Sequence, residues 1–399
     1  MPKILRIINR LNLGGPTYNV AYLSKYLSPE YETMLVTGMI DETEESSDFI
    51  MKQLGLSPVY IPEMHRDLDL IRDRAAYLKI KKIIKEFKPD IVHTHAAKAG
   101  TLGRLAAHSC GVPVIVHTFH GHVFHSYFSS SKTRLFIEIE RFVARRTTCI
   151  VAISERQKKE LGSIYKICRP EKIAVIPLGL DVEKFHENQD EKRNLFRKKY
   201  EVSDKEIVIA IVGRIVPVKN HQFFLKVLSI IRNQTKKPVR VFIVGDGEST
   251  GRIFSLAESM NLDPVFYLKE QRKAWLTFTS WIKNVDEVYA GADIICLTSQ
   301  NEGTPVSLIE AQSAGKPVVS TRVGGVEDVV LQNESAFLTS RTSYKKFAEY
   351  VIRLIESDSL RAQMGKKGQQ YALQKYSYQR MAGNMSSLYN ELLNKEGMK

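Results

Sequence analysis

The chain has 399 residues, of which 43% are hydrophobic and 26% charged, the make-up of a globular protein large enough for two cores. No apolar run reaches the ~18 residues of a membrane span, and the four cysteines (Cys110, Cys149, Cys168, Cys296) are scattered without a C-x-x-C pair, which excludes a disulfide framework or a cysteine zinc site and fits a reduced, cytosolic protein. The formal net charge of +14 divides into +8 over residues 1–180 and +6 over the remainder, so phosphate-bearing substrates and anionic lipid are the expected partners, while nucleic acid ranks last because no compact nucleic-acid motif is present.

The first element is K-I-L-R-I-I-N-R, whose charges interrupt it too often for a signal peptide and which reads as a strand near 3–9. N-L-G-G-P follows, and the paired Gly14 and Gly15 allow close backbone approach to a bulky ligand. The pair is not G-x-G-x-x-G, and no acidic residue closes the second strand, which argues against a dinucleotide fold. Further strands are expected near 33–37, 58–61, 90–94, 113–118, 149–153 and 173–177, with amphipathic helices over 16–28, 69–87, 98–110, 131–146 and 155–163. Seven of the ten histidines lie between His93 and His125. No carboxylate is interleaved, Cys110 is the one thiol in that span, and strand alternation separates neighbours, so no metal is expected there. Between Arg66 and Arg104, ten Lys or Arg face five acids, and K-T-R-L-F-I-E-I-E-R-F-V-A-R-R repeats the character near 132–146. Solvated helix faces explain such stretches, and so does attachment to an anionic membrane surface.

The apolar pattern lapses from Pro177 to about Lys192, then short β-branched runs resume near 207–213, 239–245, 276–280, 293–298 and 317–321. Such runs suit parallel strands buried on both faces. The fold expected is α/β, with two Rossmann-like domains, residues 1–178 and 179–378, and a last helix near 379–394. In V-G-R-I-V-P-V-K-N-H, Arg214 and Lys219 stand five apart on a strand-to-helix loop with Asn220 as a cap, a fork and a point charge suited to a diphosphate. V-G-D-G-E places a tight turn at Gly245.

The most informative stretch runs from Ser299 to Val330. Thr304 is expected as N-cap, Pro305 as the first helical residue and Gly315 as the left-handed residue past the end. The amides of Val306 and Ser307 would then point out unpaired, a ready anion site. Glu310 lies roughly 9 Å further along at ~1.5 Å per residue, placed to accept sugar hydroxyls from a ligand whose phosphate sits at the helix start.

Glu302 and Glu310, followed by a small-residue helix, G-x-P-V-V and the pair Gly324-Gly325, closely resemble the E-x7-E signature of family-4 retaining glycosyltransferases. The resemblance extends through G-G, His120-Gly121, Ile153 to Glu155, I-P-L-G-L-D-V-E-K-F, R-x4-K and G-D-G, nearly the whole chain. It implies the GT-B architecture, two Rossmann-like domains facing across a cleft, with residues 379–399 crossing back to the first, acceptor-binding domain. It further implies retaining transfer of a hexose or N-acetylhexosamine from a nucleotide diphosphate sugar, with that co-substrate as the only cofactor and no metal. In that reading Arg214, Lys219 and the amides after Gly303 neutralise the diphosphate, Glu310 holds the ribose, Glu302 the donor sugar and His120 the sugar near the reacting carbon. Gly14, Gly15, Gly245, Thr304, Pro305 and Val306 line the donor, and F-T-S-W-I-K-N-V around Trp281 resembles the segment that meets the base, with Trp where glycine is frequent. His122 and His125 serve the acceptor loop or pack. The acceptor is expected to be lipid-linked, in a bacterial surface polysaccharide, with the enzyme on the inner face of the membrane. An epimerase of the same build would need a carboxylate pair that has no evident place, and a carbohydrate-binding protein would have no use for a diphosphate clamp.

Overall fold

The computed structural model describes residues 1–12, 15–40, 46–65, 67, 69–121 and 130–397. The chain divides into two compact units, Met1–Leu180 with Tyr376–Lys399, and Asp181–Lys375. In unit 1 the strands β1 (Lys3–Ile8), β2 (Glu32–Thr37), β3 (Val59–Tyr60), β4 (Ile91–His95), β5 (Val114–Phe119), β6 (Cys149–Ala152) and β7 (Ile173–Val175) lie in the order β3-β2-β1-β4-β5-β6-β7. Unit 2 holds β8 (Ile207–Val212), β9 (Val239–Val244), β10 (Pro264–Phe266), β11 (Leu276–Ser280), β12 (Ile294–Leu297), β13 (Val318–Thr321) and β14 (Ala336–Thr339) in the order β10-β11-β9-β8-β12-β13-β14. Every named pairing is parallel. Helices cross between parallel strands, and both faces of each sheet are buried, which is why the strands read as continuous Val/Ile/Leu runs.

In each sheet the strand order reverses beside the unit's first strand, between β1 and β4 and between β8 and β12, and unit 2 has a further reversal at its edge, where β11 lies between β9 and β10. Loops leaving neighbouring strands in opposite directions open a crevice at such a point, where open α/β sheets bind ligands. Unit 1 covers one sheet face with Ala76, Ile80, Ile84, Ala99, Ala106 and Ala107, from the helices Leu70–Phe87 and Ala97–Ser109. The other face (Ile4, Ile91, Val114, Val116) packs under Met381, Met385, Tyr389, Leu392 and Leu393 of the last helix, Tyr378–Lys395. That helix starts where the chain re-enters unit 1: Leu180 N–H donates to Tyr376 O at 2.7 Å, Tyr378 N–H to Leu180 O at 3.0 Å, and the Ser377 hydroxyl caps Arg380 N–H at 3.2 Å.

Two features depart from expectation. Strands β10 and β14 carry no sequence signal of their own; both are sheet edges of three and four residues, too short for a pattern, and β10 begins on a proline that only an edge or a first position accepts. The helix of the glutamate motif runs Val306–Ser313, with Pro305 at the N-cap position and ψ 95°. Thr304 is therefore not the cap and Pro305 is not the first helical residue, because extended ψ at Pro305 delays the helix by one position. Its far end is as expected: Gly315 has φ +70°, Gly315 N–H donates to Gln312 O at 2.8 Å and Lys316 N–H to Ala311 O at 2.9 Å, the paired closing bonds of a Schellman motif.

Candidate functional site

The loops leaving β8 and β12 meet at the reversal point of unit 2. Pro217–Lys219 forms one 3-10 turn, and Asn220, with φ 52°, starts the next helix and accepts from Phe223 N–H through its side chain, the capping role expected of it. Two bonds hold this loop against the next: Gln300 N–H to Val218 O at 2.8 Å and Thr298 Oγ1 to Lys219 O at 3.0 Å. Lys219 Nζ consequently meets Glu302 Oε1 at 2.6 Å, both groups mostly shielded from solvent. Ser299 Oγ donates to the same oxygen at 2.5 Å. Glu302 Oε2 takes no partner among the described residues, and one ion pair leaves other Nζ protons unused. Arg214 is exposed on the same loop.

The loop carrying Glu302 is backed by Gly324 and Gly325. Gly325 N–H donates to Glu302 O at 3.1 Å, and Gly324 has φ +50°, where a Cβ would stand 1.8 Å from Glu302 O. Thr321 Oγ1 fixes the same loop through Ser299 O at 2.7 Å. Past Gly303, exposed and with open space around it, come partly buried Thr304 and buried Pro305. The helix leaves the amides of Val306 and Ser307 without intrahelical partners, so its positive end faces this loop.

Glu310 lies in the second turn of this helix, and Tyr289 OH donates to its Oε2 at 2.8 Å. Burial pushes the Glu310 carboxyl up to about 7, opposed by the Tyr289 bond and by Lys184. Gly245 follows β9; its N–H donates to Ser280 O at 3.0 Å, and Asp246 accepts from Thr250 Oγ1 at 2.7 Å and Ser280 Oγ at 3.1 Å, bonds that hold its carboxyl below the usual range. Trp281, next after β11, is 52% exposed.

In unit 1, Gly15 is the first residue of the helix Gly15–Tyr26, and Thr17 Oγ1 ties the turn to Asn12 O at 2.6 Å. Gly14, His122 and His125 lie outside the described residues. His120 follows β5, and its Nε2 is 2.9 Å from His95 Nδ1. Burial pushes His120 down to about 4. Three contributors escaped the sequence: Ser299, Tyr289 and, beneath His120, Arg6. Only Arg6 left a signal there, a charge within an apolar strand.

Residues 13–184 match Glycosyltransferase Family 4, and residues 192–371 match Glycosyl transferases group 1. A UDP-Gal:alpha-D-GlcNAc-diphosphoundecaprenol alpha-1,3-galactosyltransferase of Escherichia coli is 32% identical over 303 residues, 75% of each chain. The chain is a family-4 glycosyltransferase. A capsular polysaccharide biosynthesis glycosyltransferase, CapM of Staphylococcus aureus, is 26% identical to this glycosyltransferase over 347 residues, covering 86% of the present chain and 87% of CapM. The solved structure of Anabaena Alr3699/HepE in complex with UDP aligns with a TM-score of 0.79 at 18% identity, covering 98% of the glycosyltransferase and 100% of that chain. That likeness establishes the GT-B fold.

Replacing Gly324 in this glycosyltransferase by alanine should displace the Glu302 loop, since the new Cβ collides with a backbone carbonyl and φ is positive. The expected outcome is a loss of stability of about 1–3 kcal/mol together with weaker nucleotide-sugar binding. Thermal unfolding and calorimetry check it; a variant matching the native protein in both would show that the loop does not depend on this glycine.

Proposed function

We propose that this glycosyltransferase moves a hexose or N-acetylhexosamine, with retention, from a UDP-sugar to a lipid-linked saccharide during assembly of a bacterial cell-surface polysaccharide. The observation that carries the reading is the Lys219–Glu302 pair at the reversal point of unit 2, a cation and a hydroxyl acceptor side by side where a diphosphate and its sugar would meet. In the reaction the C1–O bond to the diphosphate breaks, an acceptor hydroxyl oxygen bonds C1, and the hydroxyl proton leaves with the diphosphate. Arg214, Lys219 and the amides of Val306 and Ser307 neutralise the charge that grows on the leaving group, the service a divalent ion gives in other enzymes. Glu310 accepts the ribose hydroxyls, Glu302 those of the sugar, and His120 hydrogen-bonds the sugar near C1. Gly14, Gly15, Gly245, Trp281, Gly303, Thr304 and Pro305 complete the donor-binding set.

Support for UDP and for a diphospholipid acceptor comes from relatives: the Escherichia coli protein is named for both, and the Anabaena structure holds UDP. Among the described residues no helix is long and apolar enough to cross a membrane. Reaching such an acceptor then requires a surface contact, and unit 1 offers one. The helix Leu70–Phe87 begins with Leu70 90% and Ile71 84% exposed and carries exposed Lys82 and Lys85, with Lys81 over the Tyr77 ring. Apolar tips among cations match the headgroup boundary of an anionic leaflet, where each basic residue adds on the order of 1 kcal/mol. The proposed location is the inner face of the cytoplasmic membrane.

Incubation with UDP-sugars should give slow release of UDP. Arg214→Ala and Lys219→Ala should lower turnover by about 10²-fold or more, with a smaller effect on donor binding, because leaving-group charge develops in the transition state. Complete loss of activity on adding a chelator would contradict the cationic clamp.

Glu310 accepts two hydroxyls only when ionised, so UDP-sugar affinity should rise as pH passes upward through about 7. The folded pKa exceeds the unfolded value of ~4.3, so the linked stability is greatest below that value and is lost as pH rises through about 7. Glu310→Ala should weaken binding by ~2–3 kcal/mol and flatten the profile; calorimetry at pH 6 and pH 8 reads both effects, and an unchanged slope in the variant would remove Glu310 from the donor site.

Neutralising Lys81, Lys82 and Lys85 should release the protein from anionic vesicles at low salt while UDP-sugar hydrolysis persists. Co-sedimentation measures this. A native protein that ignores such vesicles and glycosylates soluble sugars efficiently would refute the lipid-acceptor reading.

A further inference from the structure

Arg6 is fully buried yet meets no carboxylate among the described residues. Its Nη1 points at three acceptors instead: His93 Nδ1 at 2.9 Å, Tyr389 OH at 3.3 Å and His95 Nε2 at 3.4 Å. From His95 the chain of contacts continues, Nδ1 to His120 Nε2 at 2.9 Å, with the two rings stacked at 5.1 Å. The register explains the alignment. Arg6 stands opposite His93 and Ile8 opposite His95, while His95 stands opposite Thr118, so Arg6, His93, His95, Thr118 and His120 all point to the face that the last helix covers. A buried guanidinium without a counter-ion is costly to hold, and packing alone would have been better served by an aliphatic residue.

We propose that Arg6 is a positioning residue that fixes the tautomer of His120 through His95, leaving Nδ1–H of His120, which has no partner among the described residues, as a hydrogen-bond donor. A guanidinium has only N–H groups and keeps its proton; of the two protons on Nη1, one is shared between His93 Nδ1 and Tyr389 OH and the other is directed at His95 Nε2, so both imidazole nitrogens that face it are acceptors. His93 therefore carries its proton on Nε2, where it donates to Thr118 Oγ1 at 2.7 Å. His95, accepting at Nε2, carries its proton on Nδ1 and donates to His120 Nε2. His120 accepts there and keeps its own proton on Nδ1. Burial holds His93 and His95 well below the ordinary histidine range, with Arg6 adding to the effect, and His120 is pushed down to about 4, so all three rings are neutral. Tyr389 of the last helix closes the far end, its hydroxyl 2.5 Å from His93 Nδ1.

The consequence for recognition rests on the transferase reading. A neutral Nδ1–H donor seeks a hydroxyl or carboxylate oxygen on the sugar, and it cannot take a proton from the acceptor, because the ring's one basic nitrogen is already occupied by His95. His120 would thus hold the sugar rather than act as a base.

Long-range ¹H–¹⁵N spectra of the full-length protein labelled with [¹⁵N]histidine read the tautomers directly, the His120 signal being identified by its loss in His120→Asn. The expected pattern is a proton on Nδ1 of His95 and His120 and on Nε2 of His93; a His120 ring protonated at Nε2, or at both nitrogens, overturns the proposal without needing any further variant. In Arg6→Met the His95 and His120 signals should shift toward mixed tautomers and kcat for UDP-sugar turnover should fall about tenfold, equivalent to about 1.4 kcal/mol, with UDP affinity unchanged; Arg6→Lys, which keeps a cationic donor, should restore the native tautomers. Unaltered tautomers in a folded Arg6→Met overturn the relay. Asn presents its amide near the Nδ1 position and Gln near Nε2, so His120→Asn should retain more turnover than His120→Gln, and the reverse order counts against a donor at Nδ1. Should no UDP-sugar be turned over by the native enzyme, the transferase reading fails while the spectra still decide the tautomer.

Discussion

A parallel strand bonded to neighbours on both edges and covered by helices on both faces has room for charge only at its ends. Both sheets obey this, and the rest of the molecule follows from it. In unit 2 the strand interiors are uncharged apart from Arg240, buried at the second position of β9, while Lys219, Glu302 and the helix beginning at Val306 all sit just past carboxyl ends. The order reversal between β8 and β12 brings two of those ends together without an intervening loop, and the 2.6 Å Lys219–Glu302 contact is the outcome. In unit 1 the exception is Arg6 inside β1, whose Nη1 is met by two imidazoles and a tyrosine hydroxyl.

Much of this was legible in the sequence because each signal was local. Short apolar runs located twelve of the fourteen strands among the described residues, and the two without a signal are edges whose three or four residues gain their order from one neighbour. Glu302, Glu310 and the late Gly324-Gly325 pair stand within one βαβ stretch, and the family resemblance grouped them. The physical reason for the pair was not legible: its glycines leave space for the carbonyls of Glu302 and Gly303, a contact across more than twenty residues. Placing the helix start at Thr304 failed by one residue, since proline by type suits the first helical position and only its extended ψ makes Pro305 the cap. Ser299 looked like the end of a strand, and Tyr289 belongs to a different helix from the carboxylate it serves. No periodicity could join them.

The histidines show how a correct principle can stop short. Alternation along β4 does send His93 and His95 to one face and Thr94 to the other, where Thr94 Oγ1 meets His117 Nδ1 at 2.8 Å. The cation beside His93 and His95 is one that the chain itself supplies from β1. Arg6 was visible as the charge in K-I-L-R-I-I, and it served there only to argue against a signal peptide. Its meaning depends on the β1–β4 register, which three dimensions alone provide.

Lys219 and Glu302 raise a question of preorganisation. A lone lysine at a loop end would spend its time extended into water, and gathering it onto a diphosphate would cost side-chain entropy of up to ~2 kcal/mol. Held on Glu302, with Ser299 donating to the same carboxylate oxygen, Nζ is already ordered, and it keeps protons that an arriving phosphate oxygen would share. The pair also restrains the cation's attraction in the ground state. In the proposed reaction, as the C1–O bond stretched and negative charge moved onto the leaving oxygen, the balance would tip from Glu302 toward that oxygen, so the interaction would strengthen along the reaction coordinate. Such a response would raise turnover rather than mere affinity, and it would give the carboxylate a second task beside the proposed one of holding the sugar.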